Sequence, residues 1–179
     1  MALRSTRHRE FAEFRDLKTG QTIKRIGGGQ KPEGTPLELR AVWSGNKSRV
    51  DEPVARLITS PEEWSNVRTR MFRGLEVQVP SADDVDFTKE SLILISMGKT
   101  TNCDGISYVD AFQGPVHISI RLRHHWYQSM GETPPTWPYG IFVVPRSTTH
   151  EYVLYRNTQG LIGGPPIWKA WERLQRKQV

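Results

Sequence analysis

The sequence predicts a β-rich domain, a mainly antiparallel β-sandwich or open barrel with one internal helix and a short C-terminal helix. Three observations carry this. Apolar residues alternate with polar ones over Leu37–Trp43 and again over Val116–Arg123, the period of a strand with one buried face. Ser91–Met97 is apolar on both faces, as a strand covered on both sides requires. A single strong helix start stands at Ser60-Pro61-Glu62-Glu63.

The elements follow in order. Residues 1–36 read as a basic arm and linker, because Gly27, Gly28 and Gly29 are followed by Pro32, Gly34 and Pro36 and no periodicity is sustained. Within the arm, Phe11, Phe14 and Leu17 are spaced for a short docking helix over residues 7–17. The domain proper spans residues 37–160. Its first strand runs through Leu37, Leu39, Ala41 and Trp43 and ends at Ser44-Gly45-Asn46, and a second extended run covers Val54–Thr59. Ser60 then caps a helix, Pro61 supplies the fixed φ suited to its first position, and Glu63 reaches back to complete a capping box. Trp64, Val67, Met71 and Phe72 form its buried stripe, and it ends by Gly74. After the central strand, Gly105–Phe112 and Pro115–Arg123 flank Gln113-Gly114 as a hairpin with one wet face. Tyr139–Val144 and Glu151–Tyr155 are two further strands. Residues 161–179 form a basic tail in which Ile167, Trp168, Trp171 and Leu174 fit a short amphipathic helix.

Length and composition bound the function classes. A chain of 179 residues with 36% hydrophobic and 25% charged residues has room for one core and a ragged end. It contains no apolar run of about 18 residues and no secretory apolar region after Met1, so the chain as given is expected in the cytoplasm, without export or membrane insertion. Cys103 is the only cysteine, which excludes an internal disulfide and a cysteine-based zinc framework.

The net charge of +6 is concentrated at the ends. Residues 1–31 hold eight basic against three acidic side chains, and residues 169–179 hold four against one, leaving a slightly acidic middle. Such a distribution points to solvated arms or anion-facing tails rather than a basic groove across the fold.

The candidate motifs are weak. Gly98-Lys99-Thr100 follows a hydrophobic strand, where a phosphate loop would sit, but the glycine required five positions earlier is Ile93. His124 and His125 are neighbours on a strand and face opposite ways, so they do not share a metal, and no carboxylate near His117 completes a ligand set. No metal site or cofactor is expected. Cys103, in a loop beside Asp104, would be exposed, yet a lone thiol without a positioned base is more simply inert. Asp83, Asp84 and Asp86 read as turn-capping and solvated. His125-Trp126-Tyr127 and Trp137-Pro138-Tyr139-Gly140, with Pro134 and Pro135 between them, form a recognition surface or a cover over one end of the core. The need for core volume favours the cover.

The order of an alternating strand, Ser60-Pro61-Glu62-Glu63-Trp64, Val85-Asp86-Phe87-Thr88-Lys89-Glu90-Ser91-Leu92-Ile93, Met97-Gly98-Lys99-Thr100-Thr101 and the run Trp137–Arg146 resembles the C-terminal domain of the protease complex subunit PrcB family, over residues 37–156. In that family the turn after the central strand reads Thr-Gly-Gly-Tyr. Here Thr101, Gly105 and Tyr108 are the positions that carry over, with an insertion between them. The resemblance implies a small, non-catalytic accessory domain that contacts another protein and binds no cofactor.

The leading expectation is therefore a protein-interaction module with no catalytic residues, its contact site flanked by Thr101, Asp104, Gly105, Tyr108, Trp137 and Tyr139. The alternative is non-specific nucleic-acid association through the basic N- and C-terminal arms, in which Arg4, Arg7, Arg9, Lys24 and Arg25 neutralise phosphates. An enzyme built on Cys103 or the aspartate cluster lacks a visible base, oxyanion hole or metal.

Overall fold

In a computed structural model, which describes residues 13–15, 22–24, 34–159 and 165–175, the first strands are β1 (Glu13–Arg15), β2 (Thr22–Lys24), β3 (Thr35–Leu37), β4 (Val42–Gly45) and β5 (Val54–Ile58). Helix α1 (Pro61–Phe72) and a 3-10 turn at Ala82–Asp84 precede β6 (Glu90–Ser96), β7 (Cys103–Gln113), β8 (His117–Trp126), β9 (Tyr139–Pro145), β10 (Glu151–Asn157) and β11 (Trp168–Leu174). One sheet has the order β11-β10-β8-β7-β3 and a second the order β4-β9-β6-β5. Every pairing is antiparallel except β8 with β10, which are parallel.

The layers explain why β6 is apolar on both faces. Ile93 and Ile95, with Phe142 and Val144 of β9, meet Ile106, Ile118, Ile120, Leu122, Tyr152 and Leu154 of the five-stranded sheet. Leu92, Leu94, Ile141 and Val143 point the other way, into a second cluster with Trp64, Val67, Met71 and Phe72 of α1. The four-stranded sheet is thus covered on one side by a sheet and on the other by the helix. Each large apolar side chain buried in these layers is worth about 1.5–3 kcal/mol.

Helix α1 starts as its sequence dictates. The Glu63 amide donates to Ser60 Oγ at 3.1 Å, with Pro61 in the first turn. The Glu63 carboxylate reaches one residue further back than a capping box requires, accepting from the Thr59 amide at 3.2 Å and pairing with Arg56. The fully buried Trp64 places its indole N–H on the Pro80 carbonyl at 3.0 Å, so the ring is anchored at both its apolar and its polar end.

Three expected elements differ. The strand read through Leu37–Trp43 is two short edge strands in different sheets: β3 pairs with β7 and β4 with β9. The alternation survives the crossing because Leu39 lies in the core between them. The C-terminal helix is instead β11. Its register against β10 shifts at Trp171, a bulge that brings Trp171 and Leu174 onto the inner cluster although they are three residues apart. That spacing is what a helix stripe also shows. Trp168 lies against Arg121, 5.1 Å from guanidinium carbon to ring centroid, and Arg121 also forms a bidentate pair with Asp110. In the arm, the residues described within the expected helix, Glu13–Arg15, are extended and pair with Thr22–Lys24.

No helix among the described residues is long and apolar enough to cross a membrane.

Candidate functional site

One end of the sandwich gathers the loops that the sequence singled out. After β6 the chain bridges Thr100 to Thr136 through two 2.8 Å backbone hydrogen bonds. The Trp137 amide donates to the Asn46 carbonyl at 2.9 Å, and Asn46 Nδ2 donates to Asp104 Oδ1 at 2.9 Å. Trp137 Nε1 donates to Asp51 Oδ1 at 2.8 Å. The β4–β5 connection, the start of β7 and the segment before β9 are thereby tied into one surface.

Of the expected contact residues, Thr101 and Asp104 are exposed there and Trp137 is half-buried beside them. Gly105 is buried with φ of +151°, and a β-carbon on it would stand 2.2 Å from Ser44 Oγ, so its part is to let β7 approach β4. Tyr108 is half-buried, edge-on to Phe142 at 6.4 Å. Tyr139 is 2% exposed and packs edge-on against Phe72 at 4.8 Å, out of reach of a partner docking from solvent, and burial raises its phenol pKa.

The aromatic loop is where the structure departs most from expectation. Trp126 is 57% exposed and Met130 fully exposed, so this run does not cover the core, whereas Pro138 and Tyr139 of the second aromatic run are buried and do. The backbone of the exposed run is nonetheless held: Asn102, at φ of +59°, accepts the Tyr127 amide on its carbonyl at 3.0 Å and the Thr133 hydroxyl on its side-chain oxygen at 2.5 Å. Asn102 was not singled out in the sequence, although asparagine at a tight turn after a core strand is a recognisable signal.

A second face lies around the end of α1. Arg68, Arg70 and Arg73 come from the helix and its cap, Lys47 and Arg49 from the β4–β5 connection, and none of the five forms an ion pair among the described residues. Arg49 Nε donates to the Arg73 carbonyl at 2.8 Å, which joins the two segments. The adjoining concavity is lined by Lys47, Ser48, Arg49, Asp51, Thr136 and Trp137. In its wall the hydroxyls of Ser48 and Thr136 are buried without a hydrogen-bond partner among the described residues, an arrangement that costs about 1–3 kcal/mol for each group.

The remaining candidates resolve simply. The Lys99 amide is committed to the Asp51 carbonyl and the Thr100 amide to Thr136, so the backbone donors of a phosphate loop are occupied. Cys103 was expected in an exposed loop; it is fully buried as the first residue of β7, and desolvation pushes its thiol pKa up. Asp84 and Asp86 accept local turn hydrogen bonds from Ser81 and Thr88, which hold both carboxyls below the usual range. Ser107 Oγ and His125 Nε2 share a 2.8 Å hydrogen bond on the strand surface. Among the described residues no carboxylate bonds to the other ring nitrogen to orient it, as a nucleophile–base pair requires. No three His, Cys, Asp or Glu side chains converge as metal ligands among the described residues. Arg4, Arg7, Arg9 and Arg25 lie outside those residues, and Lys24 is described only as part of the β2 backbone.

Compared with protein-family models, with curated proteins and with solved structures, the chain matches none.

Proposed function

We propose that this chain is a non-catalytic accessory or interaction domain, PrcB-like in kind, that contacts a partner protein through the loop end of its sandwich. One observation carries the reading: Trp126, at the end of β8, and Met130, on the loop that follows it, stand in solvent, and the base of that loop is held by Asn102. Aromatic and methionine side chains are the ones that protein interfaces concentrate. A loop already fixed in place loses less freedom when a partner closes over it. Thr101, Asp104 and Trp137 flank the loop and supply a polar rim. The partner's matching surface is an apolar pocket able to seat an indole.

The test is a comparison of the tagged full chain with a Trp126→Ala, Met130→Ala variant in nuclease-treated native lysate. A protein captured by the first and reduced tenfold or more with the second, at equal thermal stability, supports the reading; equal capture by both removes the loop from it.

A second reading, nucleic-acid association through Arg4, Arg7, Arg9, Lys24 and Arg25, is favoured by further cations on the folded body, Lys47, Arg49, Arg68, Arg70 and Arg73, which form no ion pair among the described residues and share the sign of both chain ends. Deleting residues 1–36 abolishes binding to duplex DNA if the arm alone is responsible.

A further inference from the structure

We infer that the concave face around the C-terminal end of α1 is a phosphate-binding groove for a single nucleic-acid strand, centred on Arg49, Arg70 and Arg73 with Lys47 and Arg68 towards its ends. The site belongs to the folded body, not the arms, and shares only Trp137 with the loop contact proposed above.

Three adjoining concavities form the groove. Thr69 and Arg73 line both the first and the second, Arg49 joins the second to the third, and Leu75 belongs to the first and third. The cations thus occupy neighbouring concavities, Arg68 and Arg73 in the first, Arg70, Arg73 and Arg49 in the second, and Arg49 and Lys47 beside Trp137 in the third. Arginines in the last turn of a helix also answer the partial negative charge of its carbonyls. That accounts for Arg70 and Arg73, but it explains neither Arg68, a turn earlier, nor Lys47 and Arg49, which a separate connection brings to the same place. Like charges gathered in this way repel one another unless an anion lies among them. Of the nearby carboxylates, Asp84 interacts electrostatically with Arg68, and Asp51 lies at the far end of the face with its carboxylate on the Trp137 indole; among the described residues neither these nor Glu76 forms an ion pair with Arg49, Arg70 or Arg73.

The form of the site favours a strand over a single phosphate or an acidic peptide. The cations are strung along a groove rather than focused at one point, as repeating phosphodiesters require, and arginine forks match phosphate oxygens. At its far end the half-buried Trp137 stands with Pro134 and Pro135, apolar surface against which a base can stack. The unpartnered hydroxyls of Ser48 and Thr136 lie in the same wall and can donate to base or phosphate. A single strand bends to follow such a concave path, whereas a duplex is stiff over many helical turns.

The experiment is fluorescence anisotropy of the full chain with a labelled 20-nucleotide oligothymidylate between 50 and 200 mM salt. Four or five phosphate contacts predict a slope of about −3 in log affinity against log salt, a loss on the order of a hundredfold across that range. Arg70→Gln with Arg73→Gln removes two contacts, so the slope becomes shallower by about 1.4 and affinity at 100 mM falls tenfold or more. Arg70→Glu alone, on an exposed position, repeats the loss without touching the helix cap. Trp126→Ala with Met130→Ala leaves oligonucleotide affinity within twofold, which keeps this result separate from the loop contact. Affinity and slope unchanged in the arginine variants would overturn the groove. So would an equal loss from Arg123→Gln with Arg156→Gln elsewhere on the body, or binding of polyglutamate as tight as the oligonucleotide at the same ionic strength, which would make the ligand an acidic protein segment.

Discussion

Gly98 lies so close over the backbone of Asp51 that a β-carbon on it would stand 2.3 Å from the Asp51 carbonyl oxygen, and its φ is +74°. The Lys99 amide donates to that same oxygen at 2.9 Å, so the turn after β6 is clamped to the β4–β5 connection by backbone alone. Asp51 in turn holds Trp137 through its side chain. The glycine that sits where a phosphate loop would be is therefore a close-packing device on which the loop surface rests.

Gly98→Ala forces both a left-handed φ and a steric overlap, so it is expected to destabilise the fold by about 2–4 kcal/mol in urea denaturation. Gly131→Ala, at a loop position with nothing within 4 Å, is expected to stay within about 0.5 kcal/mol of the parent. Equal stability of the two variants would show that the clamp does not hold the turn.

Cys103 should behave as a core residue. Burial raises its pKa and leaves no path for reagent, so native labelling by a soluble disulfide is expected to follow the rate of unfolding rather than the thiolate fraction. Labelling that is fast in buffer and unchanged by stabilising conditions contradicts the buried position. Cys103→Ala, with a small cavity, is expected to cost about 1–2 kcal/mol.

His124 supplies a pH dependence. Burial, with Arg156 and His125 adding like charge, lowers its pKa below 6.5 in the folded chain. The unfolded chain therefore takes up the proton first as pH falls. The stability that goes with neutral His124 is complete above about pH 6.5 and is lost as pH drops through the lower folded value. Denaturation of the parent and of His124→Gln at pH 7.5 and 5.5 checks this: the parent loses more stability over the interval, and equal losses would remove His124 as the cause.

Local rules made much of the fold legible. Ser60, Pro61 and Glu63 announced α1 because a cap is settled within four residues, and the stripe of Trp64, Val67, Met71 and Phe72 named its buried face. The doubly apolar Ser91–Met97 marked the strand covered on both sides, which runs over Glu90–Ser96. The same rules misread residues 168–174, where a bulge at Trp171 imitates the spacing of a helix, and residues 37–43, where one alternating pattern spans two sheets.

By itself, then, the sequence determined the β-rich class, the single internal helix, the central strand and the lone thiol. Tertiary structure alone decided that Trp126 faces solvent, that Tyr139 and Cys103 lie inside, and that Arg49 meets Arg70 and Arg73. The reason is physical: periodicity tells which side of its own element a residue occupies, whereas the neighbour across the gap is chosen by pairing between segments far apart in the chain.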